Sequence, residues 1–398
     1  MNLQKEYALI GATLIDGNGG SPVKDTSIVV RNGVIEEVGD RKSVRLGDKI
    51  QKVDISGFYL MPGLVDSHAH FAGLKLRSAN PSDWVAESES LQAIRTVAEA
   101  RKMLDYGFTT VRSGGGALKF DIDLRKAVEE GTIIGPRIMA CGLRLCRSGA
   151  SEDPIGTVDG VEEIRKAIRK LIGENVDHIK FVSTGADMSE TDRFEDVHFS
   201  MEEMRMIMDE SHMVGLKVMC HATNIRAIRA VVELGVNTIE HCQYAEGDEF
   251  DEELCKKMAE KNIFITPTIA EHFTGPAAEK EIPKYLVNGW KRAMKNGVKI
   301  LLGSDVWGEP ITPYGKQNIA EIKFLVDILE MTPLEAITSA TKFGAEACGI
   351  DSKVGTIEKG KLADLLVVSK DPTSNIDVLL NRETVKYIIK EGNLVVEH

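Results

Sequence analysis

The two ends of the chain share one pattern of apolar and polar residues, and the middle carries another. At the N-terminal end, short runs rich in Val and Ile alternate with turn-forming residues, as is typical of β-strands. These runs are residues 7–10, 27–30 and 34–38. Asn32-Gly33 lies between the last two, and this dipeptide strongly predicts a two-residue hairpin turn.

The C-terminal end has the same character, with strand-like runs at residues 363–368, 385–389 and 394–396. Neither end has enough strands to bury a face by itself, because isolated hairpins are only marginally stable in water. We therefore predict that both ends join in one small β-sandwich domain formed by residues 1–58 and 350–398.

The middle of the chain, residues 59–349, alternates strand-like runs with segments of helical periodicity. The eight runs are residues 64–70, 109–112, 137–140, 177–182, 217–221, 238–241, 263–266 and 299–305. Strands that alternate with helices form a parallel sheet, and this length suits a closed, TIM-like (β/α)8 barrel, for which about 250 residues are typical. An open doubly wound sheet is the alternative, but no Gly-x-Gly-x-x-Gly motif opens a helix here.

Composition and charge narrow the class of protein. The 398-residue chain is 43% hydrophobic and 28% charged, as in ordinary soluble globular proteins. Its net charge of -12 argues against a surface for nucleic acid or anionic membrane, because either would need a basic patch. The first residues lack the apolar core of a secretory signal. The six cysteines include no Cys-x-x-Cys pair, which favours reduced thiols and a cytoplasmic location.

Candidate metal ligands lie where several of the strand-like runs end. His68 and His70 are two residues apart, so on a strand both imidazoles point to the same side. A lone His-x-His pair is about as often incidental as metal-binding. However, His221, His241 and Asp305 end three further runs, and the active sites of (β/α)8 barrels lie at the carboxyl ends of the strands. This agreement between separate segments predicts a metal centre.

Lys180 lies inside an apolar run, where an unpaired charge would be costly to bury. Its ammonium group could pair with a buried carboxylate. Alternatively, its amine is neutral and has added carbon dioxide, which gives a carbamate able to bridge two metal ions. The composition of the strand does not choose between the two.

Together, these residues resemble the metal-binding set of the amidohydrolase superfamily. The resemblance runs from the first strands to the last and includes the segments 61–66, 107–112, 303–305 and 360–365. The nearest branch is that of the prolidase-like dipeptidases and carboxypeptidases related to imidazolonepropionase. Its marks are Lys180, the turn Gly114-Gly115-Gly116 and the run 199–203.

The resemblance implies two zinc ions per chain, bridged by a carboxylated Lys180 and by a hydroxide. One ion would be held by His68, His70, Lys180 and Asp305, and the other by Lys180, His221 and His241. Asp305 would be the general base that takes the proton of the hydroxide and returns it to the leaving amine. The implied reaction is hydrolysis of an amide (C–N) bond in an Xaa-Pro dipeptide or an N-acyl amino acid.

Positions around the mouth of the predicted site depart from the pattern of the branch. Ser113 replaces an acidic residue, Ala222-Thr223 stands where some dipeptidases have a tyrosine, and Cys242 replaces a glycine. These departures concern substrate specificity rather than the metal ligands. The predicted substrate contacts, for each of which an ordinary loop role is equally open, are Arg147, Tyr244, His272 and Trp307.

Two other functions stay open from the sequence. The same metal site could open a cyclic amide, as in imidazolonepropionase, or hydrolyse a lactone or ester. A non-enzymatic partner protein of this fold is disfavoured by the complete ligand set with Asp305. For the hydrolase we expect a homo-oligomer with a small-molecule or dipeptide substrate and no nucleic-acid or membrane partner.

Overall fold

A computed structural model of the chain describes residues 3–44, 47, 49–75, 87–116, 118–150, 156–186, 192–273, 281–309 and 312–398. Within these ranges the chain forms a mixed α/β fold, which confirms the predicted class. No helix in the described ranges combines the length and the apolar character that a bilayer crossing requires.

Strands from both ends of the chain share one eight-stranded sheet. They are β1 (Glu6–Leu14), β2 (Val23–Arg31), β3 (Val34–Asp40), β4 (Gln51–Asp54), β5 (Tyr59–Pro62), β14 (Leu365–Val368), β15 (Val385–Lys390) and β16 (Asn393–Glu397). Their order is β16-β15-β14-β5-β1-β2-β3, with β4 parallel to β1. The two ends meet where β14 runs antiparallel to β5. The structure thus joins both ends in one sheet, while the sandwich and its boundaries stay predictions.

The turn between β2 and β3 has the geometry that its dipeptide predicts. Asn32 and Gly33 both have a left-handed backbone, with φ angles of 47° and 82°. A type I′ turn needs positive φ at both central residues, which Asn and Gly tolerate best. Arg31 pairs with Val34 directly across the turn, so the predicted hairpin is confirmed.

The middle of the chain contains two four-stranded parallel sheets. Their strands are β6 (Leu64–Lys75), β7 (Phe108–Ser113), β8 (Arg137–Met139), β9 (His178–Val182), β10 (Lys217–Ala222), β11 (Thr238–His241), β12 (Phe264–Thr266) and β13 (Val306–Glu309). One sheet has the order β13-β6-β7-β8, and the other has the order β12-β11-β10-β9.

Helices connect these strands. They are α1 (Glu89–Asp105), α2 (Phe120–Glu129), α3 (Gly160–Gly173), α4 (Met201–Met213), α5 (Ile225–Leu234), α6 (Glu252–Glu260), α7 (Lys284–Lys295), α8 (Lys316–Asp327), α9 (Pro333–Thr338) and α10 (Gly344–Cys348). α3 buries Ile164, Ile168 and Leu171, which recur at the spacing of one helix face. α4 begins at a complete capping box between Ser200 and Glu203, as its sequence predicts.

Backbone hydrogen bonds connect the two parallel sheets on both sides. On one side, the amide of Leu145, just after β8, donates to the carbonyl of Lys180 on β9 at 2.8 Å. On the other side, the amide of Leu301 donates to the carbonyl of Ile265 on β12 at 2.8 Å. The amide of Ser67 on β6 donates to the carbonyl of Leu302 at 2.9 Å. Residues 301–302 therefore lie between the two sheets.

Three strands differ in extent from the prediction. Residues 59–62, assigned from the sequence to the middle of the chain, form β5 of the terminal sheet. β6 continues past His70 to Lys75, so its two histidines lie inside the strand. The eighth strand, β13, begins at Val306, directly after Asp305, whereas the sequence predicted a strand that ends at Asp305. The left-handed φ of 48° at Asp305 interrupts the extended backbone at that point.

Arg137 on β8 joins the parallel sheets to the terminal sheet. Its guanidinium lies 2.6 Å from the carboxylate of Asp364, which precedes β14, and 2.6 Å from that of Glu391. It also donates to the hydroxyl of Thr110 on β7 at 3.0 Å. The Asp364 side chain is buried, whereas that of Glu391 is partly exposed to solvent. Loss of the Asp364 charge would therefore leave Arg137 without its buried ionic partner.

We expect Asp364→Asn to lower the free energy of unfolding by about 2 kcal/mol, because a charged hydrogen bond in a buried setting is lost. Urea titration followed by circular dichroism measures this change. The matched control is Asp351→Asn, which removes the same charge from an exposed turn and should change stability by less than about 0.5 kcal/mol. Equal unfolding midpoints for the two variants would contradict the role given to Arg137.

Candidate active site

The carboxylate of Asp305 lies at the centre of a cluster of histidines. Its oxygens are 3.0 Å from His70 Nε2, 3.3 Å from His68 Nε2 and 3.9 Å from His241 Nε2. All four side chains are buried. β6 supplies two of the histidines and β11 the third, so the site lies between the two parallel sheets.

Lys180 and His221 complete the group of six predicted ligands. The Lys180 amine on β9 lies 3.5 Å from His68 Nε2. The His221 ring on β10 lies 4.5 Å, centre to centre, from the ring of His241. Both side chains are buried. The structure therefore brings the six residues together, and their role as metal ligands stays a prediction.

In each of the four imidazoles, one ring nitrogen contacts a residue outside the group of six. The pairs are His68 Nδ1 with the Glu240 carboxylate (2.9 Å), His70 Nδ1 with the Gly115 carbonyl (2.6 Å), His241 Nδ1 with the Thr268 hydroxyl (2.7 Å) and His221 Nε2 with the Gly185 carbonyl (3.3 Å). Histidines that bind metals are oriented in this way, since the outer contact sets the tautomer and turns the free lone pair inward. Imidazole and carboxylate donors of this kind fit zinc.

The electrostatics of the cluster favour the neutral, lone-pair-bearing forms of His68 and Lys180, whereas at His241 the lowering effect of burial is outweighed by Glu271, which raises the pKa. Burial, and then the nearby charge of Lys180, lowers the pKa of His68 to about 3. Burial also lowers the pKa of Lys180, which favours the uncharged amine. Burial alone would raise the pKa of Asp305, but the surrounding histidines hold it well below its usual value. Asp305 is therefore an ionised carboxylate surrounded by nitrogen donors.

Glu240 and Arg112 form a buried ion pair behind His68. One Glu240 oxygen lies 3.0 Å from the Arg112 guanidinium, and the other lies 2.9 Å from His68 Nδ1. Arg112 also donates to the carbonyl of Ser67 at 2.6 Å. Sequence reasoning missed both charged residues. The available signal was the one that singled out Lys180, a charge inside an otherwise apolar strand.

Three residues of the site have a left-handed backbone although none is glycine. The φ angles are 65° at His241, 51° at Thr268 and 48° at Asp305. Such conformations cost about 1–3 kcal/mol each and persist where the surrounding structure holds them, often at functional sites. Here His241 is the last residue of β11, Thr268 follows β12, and Asp305 precedes β13. Thr268 was also missed, because sequence pattern does not report backbone strain.

The glycines after β7 make room for His70. A Cβ added to Gly114 would lie 2.5 Å from His70 Cε1 and 2.7 Å from Nε2. Gly115 has a φ of 83° and presents its carbonyl to His70 Nδ1. The triple glycine that the sequence marks as a family feature therefore has a packing explanation at its first two positions.

The four predicted substrate contacts lie in different environments. Tyr244 is buried, stacked on Phe250 at 4.9 Å, and its hydroxyl donates to the Tyr285 carbonyl. Arg147 is partly exposed and lies 3.8 Å from the Asp196 carboxylate. The other two are also partly exposed, with His272 Nε2 3.1 Å from Gln243 Nε2 and the Trp307 amide bonded to a hydroxyl. All four therefore stay predicted contacts, and the Tyr244 hydroxyl already has a partner in the Tyr285 carbonyl.

Comparison with known proteins gives a consistent result. The profile of the Amidohydrolase family matches residues 59–395. Ochratoxinase of Aspergillus niger is 28% identical, with 99% of this chain and 90% of that protein covered. Imidazolonepropionase of Clostridium tetani is 25% identical, with 96% and 93% covered. The crystal structure of a prolidase complexed with N-methylphosphonate-L-proline is 30% identical and superposes with a TM-score of 0.84, covering 99% of this chain and all of that one.

The packing of Gly114 against His70 leads to a testable expectation. We expect Gly114→Ala to push His70 away from Asp305 and to weaken zinc binding by about tenfold or more, the usual size of effect when ligand orientation is lost. Equilibrium dialysis against a zinc buffer measures the affinity. Gly116→Ala is the matched control, because a Cβ at that position would have no atom closer than 3.9 Å. Equal zinc affinities in both variants would mean that His70 is not a ligand.

Proposed function

The chain belongs to the amidohydrolase family and is a hydrolase of carbon–nitrogen bonds, and from this premise we propose that it cleaves the amide of an Xaa-Pro dipeptide or an N-acyl amino acid. The observation that carries the proposal is the convergence of three Nε2 atoms on Asp305, with the Lys180 amine 3.5 Å from one of them, His68 Nε2. Fold alone would not support a function, because one fold hosts many activities.

We propose that the cluster holds two zinc ions. His68, His70, Lys180 and Asp305 would hold one, and a carboxylated Lys180, His221 and His241 would hold the other. When bound, such cations lower the pKa of a water molecule toward neutrality and polarise a carbonyl oxygen. The support comes from the outer contacts of the four histidines and from the lowered pKa of Lys180, since only the neutral amine adds carbon dioxide.

The side chains of the chain would then carry the proton transfers. Asp305 would accept a proton from the attacking water and deliver it to the departing nitrogen, the step that an amide needs because its nitrogen leaves poorly as an anion. Its position among three imidazoles suits a base that is ionised at neutral pH. Glu240 would keep the proton of His68 on Nδ1, so that Nε2 stays free.

We also propose that the two parallel sheets form one closed (β/α)8 barrel that begins at β6, within the predicted range 59–349, and that the terminal sheet, with β5, is part of a separate β-sandwich domain. The hydrogen bonds from Leu145 to Lys180 and from Leu301 to Ile265 support closure on both sides. In such a barrel the active site lies at the carboxyl ends of the strands, which is where His221 and His241 lie on β10 and β11.

The name of the prolidase structure, which is complexed with a proline derivative, favours a substrate of the Xaa-Pro type. A second candidate function rests on the imidazolonepropionase relative, whose match extends over 96% of this chain. It is the opening of a cyclic amide, or hydrolysis of a lactone or ester, with the same six residues. A panel of Xaa-Pro and other dipeptides, N-acyl amino acids, cyclic amides and lactones, offered to the zinc-loaded protein, decides between these.

We expect Asp305→Asn to lower kcat on the best substrate of that panel by about 100-fold to 10,000-fold, the range for loss of a general base. Lys180→Ala should in addition lose bound zinc, measured by elemental analysis of the purified protein. The exposed variant Asp351→Asn serves as the control and should match the parent in both measurements. Full activity in Asp305→Asn, or a full zinc complement in Lys180→Ala, would refute the assigned roles.

A further inference from the structure

A short turn after β12 carries a carboxylate to the edge of the cluster. The turn is the 3₁₀ segment Ile269–Phe273. The buried Glu321 on α8 anchors it by accepting the amides of Ile269 at 2.9 Å and Ala270 at 2.6 Å. The backbone that carries the next residue, Glu271, is therefore fixed by hydrogen bonds to Glu321.

Glu271 faces the outer edge of His241. Its Oε2 lies 3.5 Å from His241 Nδ1 and 3.5 Å from the Thr268 hydroxyl. His241 Nδ1 has a shorter contact, 2.7 Å, with that hydroxyl, and His241 Nε2 faces Asp305 instead. Glu271 thus contacts the Nδ1 edge of the ring, whereas Nε2 is the predicted metal ligand atom.

The ionisable partner of Glu271 among the described residues is His241. No lysine or arginine in those ranges forms an ion pair with it, and its side chain is 40% exposed. Glu240 contrasts with it, because Arg112 balances that buried carboxylate. Glu271 is therefore an accessible negative charge beside the site.

The distance between Glu271 and Asp305 suits the ammonium group of a bound substrate. The ligand atoms of Glu271, His241 and Asp305 lie within 4.8 Å of one another. The amide carbon attacked during hydrolysis has to lie close to Asp305, which handles the proton. In an aminoacyl group the α-nitrogen is only about 2.5 Å from the carbonyl carbon. An ammonium at that position would therefore reach Glu271 while the carbonyl reaches Asp305.

We propose that Glu271 recognises the free α-ammonium group of the acyl half of the substrate. This inference rests on the proposed function and refines it, because it selects unblocked aminoacyl amides such as dipeptides over N-acylated amino acids. The contact is a charge-assisted hydrogen bond between the ammonium and Glu271 Oε1 or Oε2. Glu271 is then a specificity residue for the amine, distinct from the ligands that hold the metals.

Binding of a matched pair of small acids tests this without any turnover. L-Leucine and 4-methylpentanoate differ only by the α-ammonium group, and each is titrated calorimetrically into the zinc-loaded protein. We expect the parent to bind L-leucine about tenfold more tightly, the usual size of a hydrogen bond to a charged group. In Glu271→Gln the ratio should fall to near one, and Glu271→Asp should keep a preference of several-fold.

Glu260→Gln is the matched control, because it removes the same charge from the exposed end of α6 and should keep the tenfold ratio. Zinc content is measured in every variant. A ratio near one in the parent, absence of binding by either acid, or a ratio that survives Glu271→Gln would overturn the proposal. So would loss of zinc from Glu271→Gln, since Glu271 would then act through His241. A preference for L-leucine in a protein that hydrolyses no amide would count against the proposed function alone.

Discussion

The contact between Glu240 and His68 is the interaction on which the rest of the site depends. Burial of a carboxylate is costly unless it is paired and hydrogen-bonded, and Glu240 is fully buried. Arg112 balances the charge of Glu240 through one carboxylate oxygen, and His68 Nδ1 lies 2.9 Å from the other. These three residues come from β11, β7 and β6, so the pair ties one parallel sheet to the other through the interior. The stability of the fold and the tautomer of a candidate ligand are thus linked in one contact.

A second buried carboxylate sets His68 beside Asp305. Asp66 accepts the amide of His68 at 3.0 Å, the hydroxyl of Ser304 at 2.7 Å and the side-chain amide of Asn318 at 2.7 Å. Burial raises the pKa of Asp66 to about 6, while these donors act in the opposite direction. Because Asp66 bonds both to β6 and to the segment before Asp305, the two strands cannot shift past each other without loss of several hydrogen bonds.

Outside this interior the charges serve different purposes. Arg137 uses its ion pairs to attach the terminal sheet to the parallel sheets. Glu321 uses its hydrogen bonds to hold the turn after β12, which carries Glu271. The resulting site has a buried floor of nitrogen donors and one carboxylate, with the partly exposed Glu271 beside it. On the proposed function, catalysis belongs to the buried floor, and selection of the substrate amine belongs to Glu271.

Local sequence determined much of this protein. The Asn32-Gly33 hairpin, the capping box at Ser200 and the alternation of strands with helices follow from interactions within a few residues of each other. Five of the six clustered residues were found because the predicted ends of parallel strands lie at one edge, and Lys180 was found because a charge inside an apolar strand is unusual. Only the tertiary structure decided the contacts of Glu240, Thr268 and Glu271, and the burial of Tyr244. These depend on which side chains from distant strands share a low-dielectric interior, and no local pattern encodes that distance.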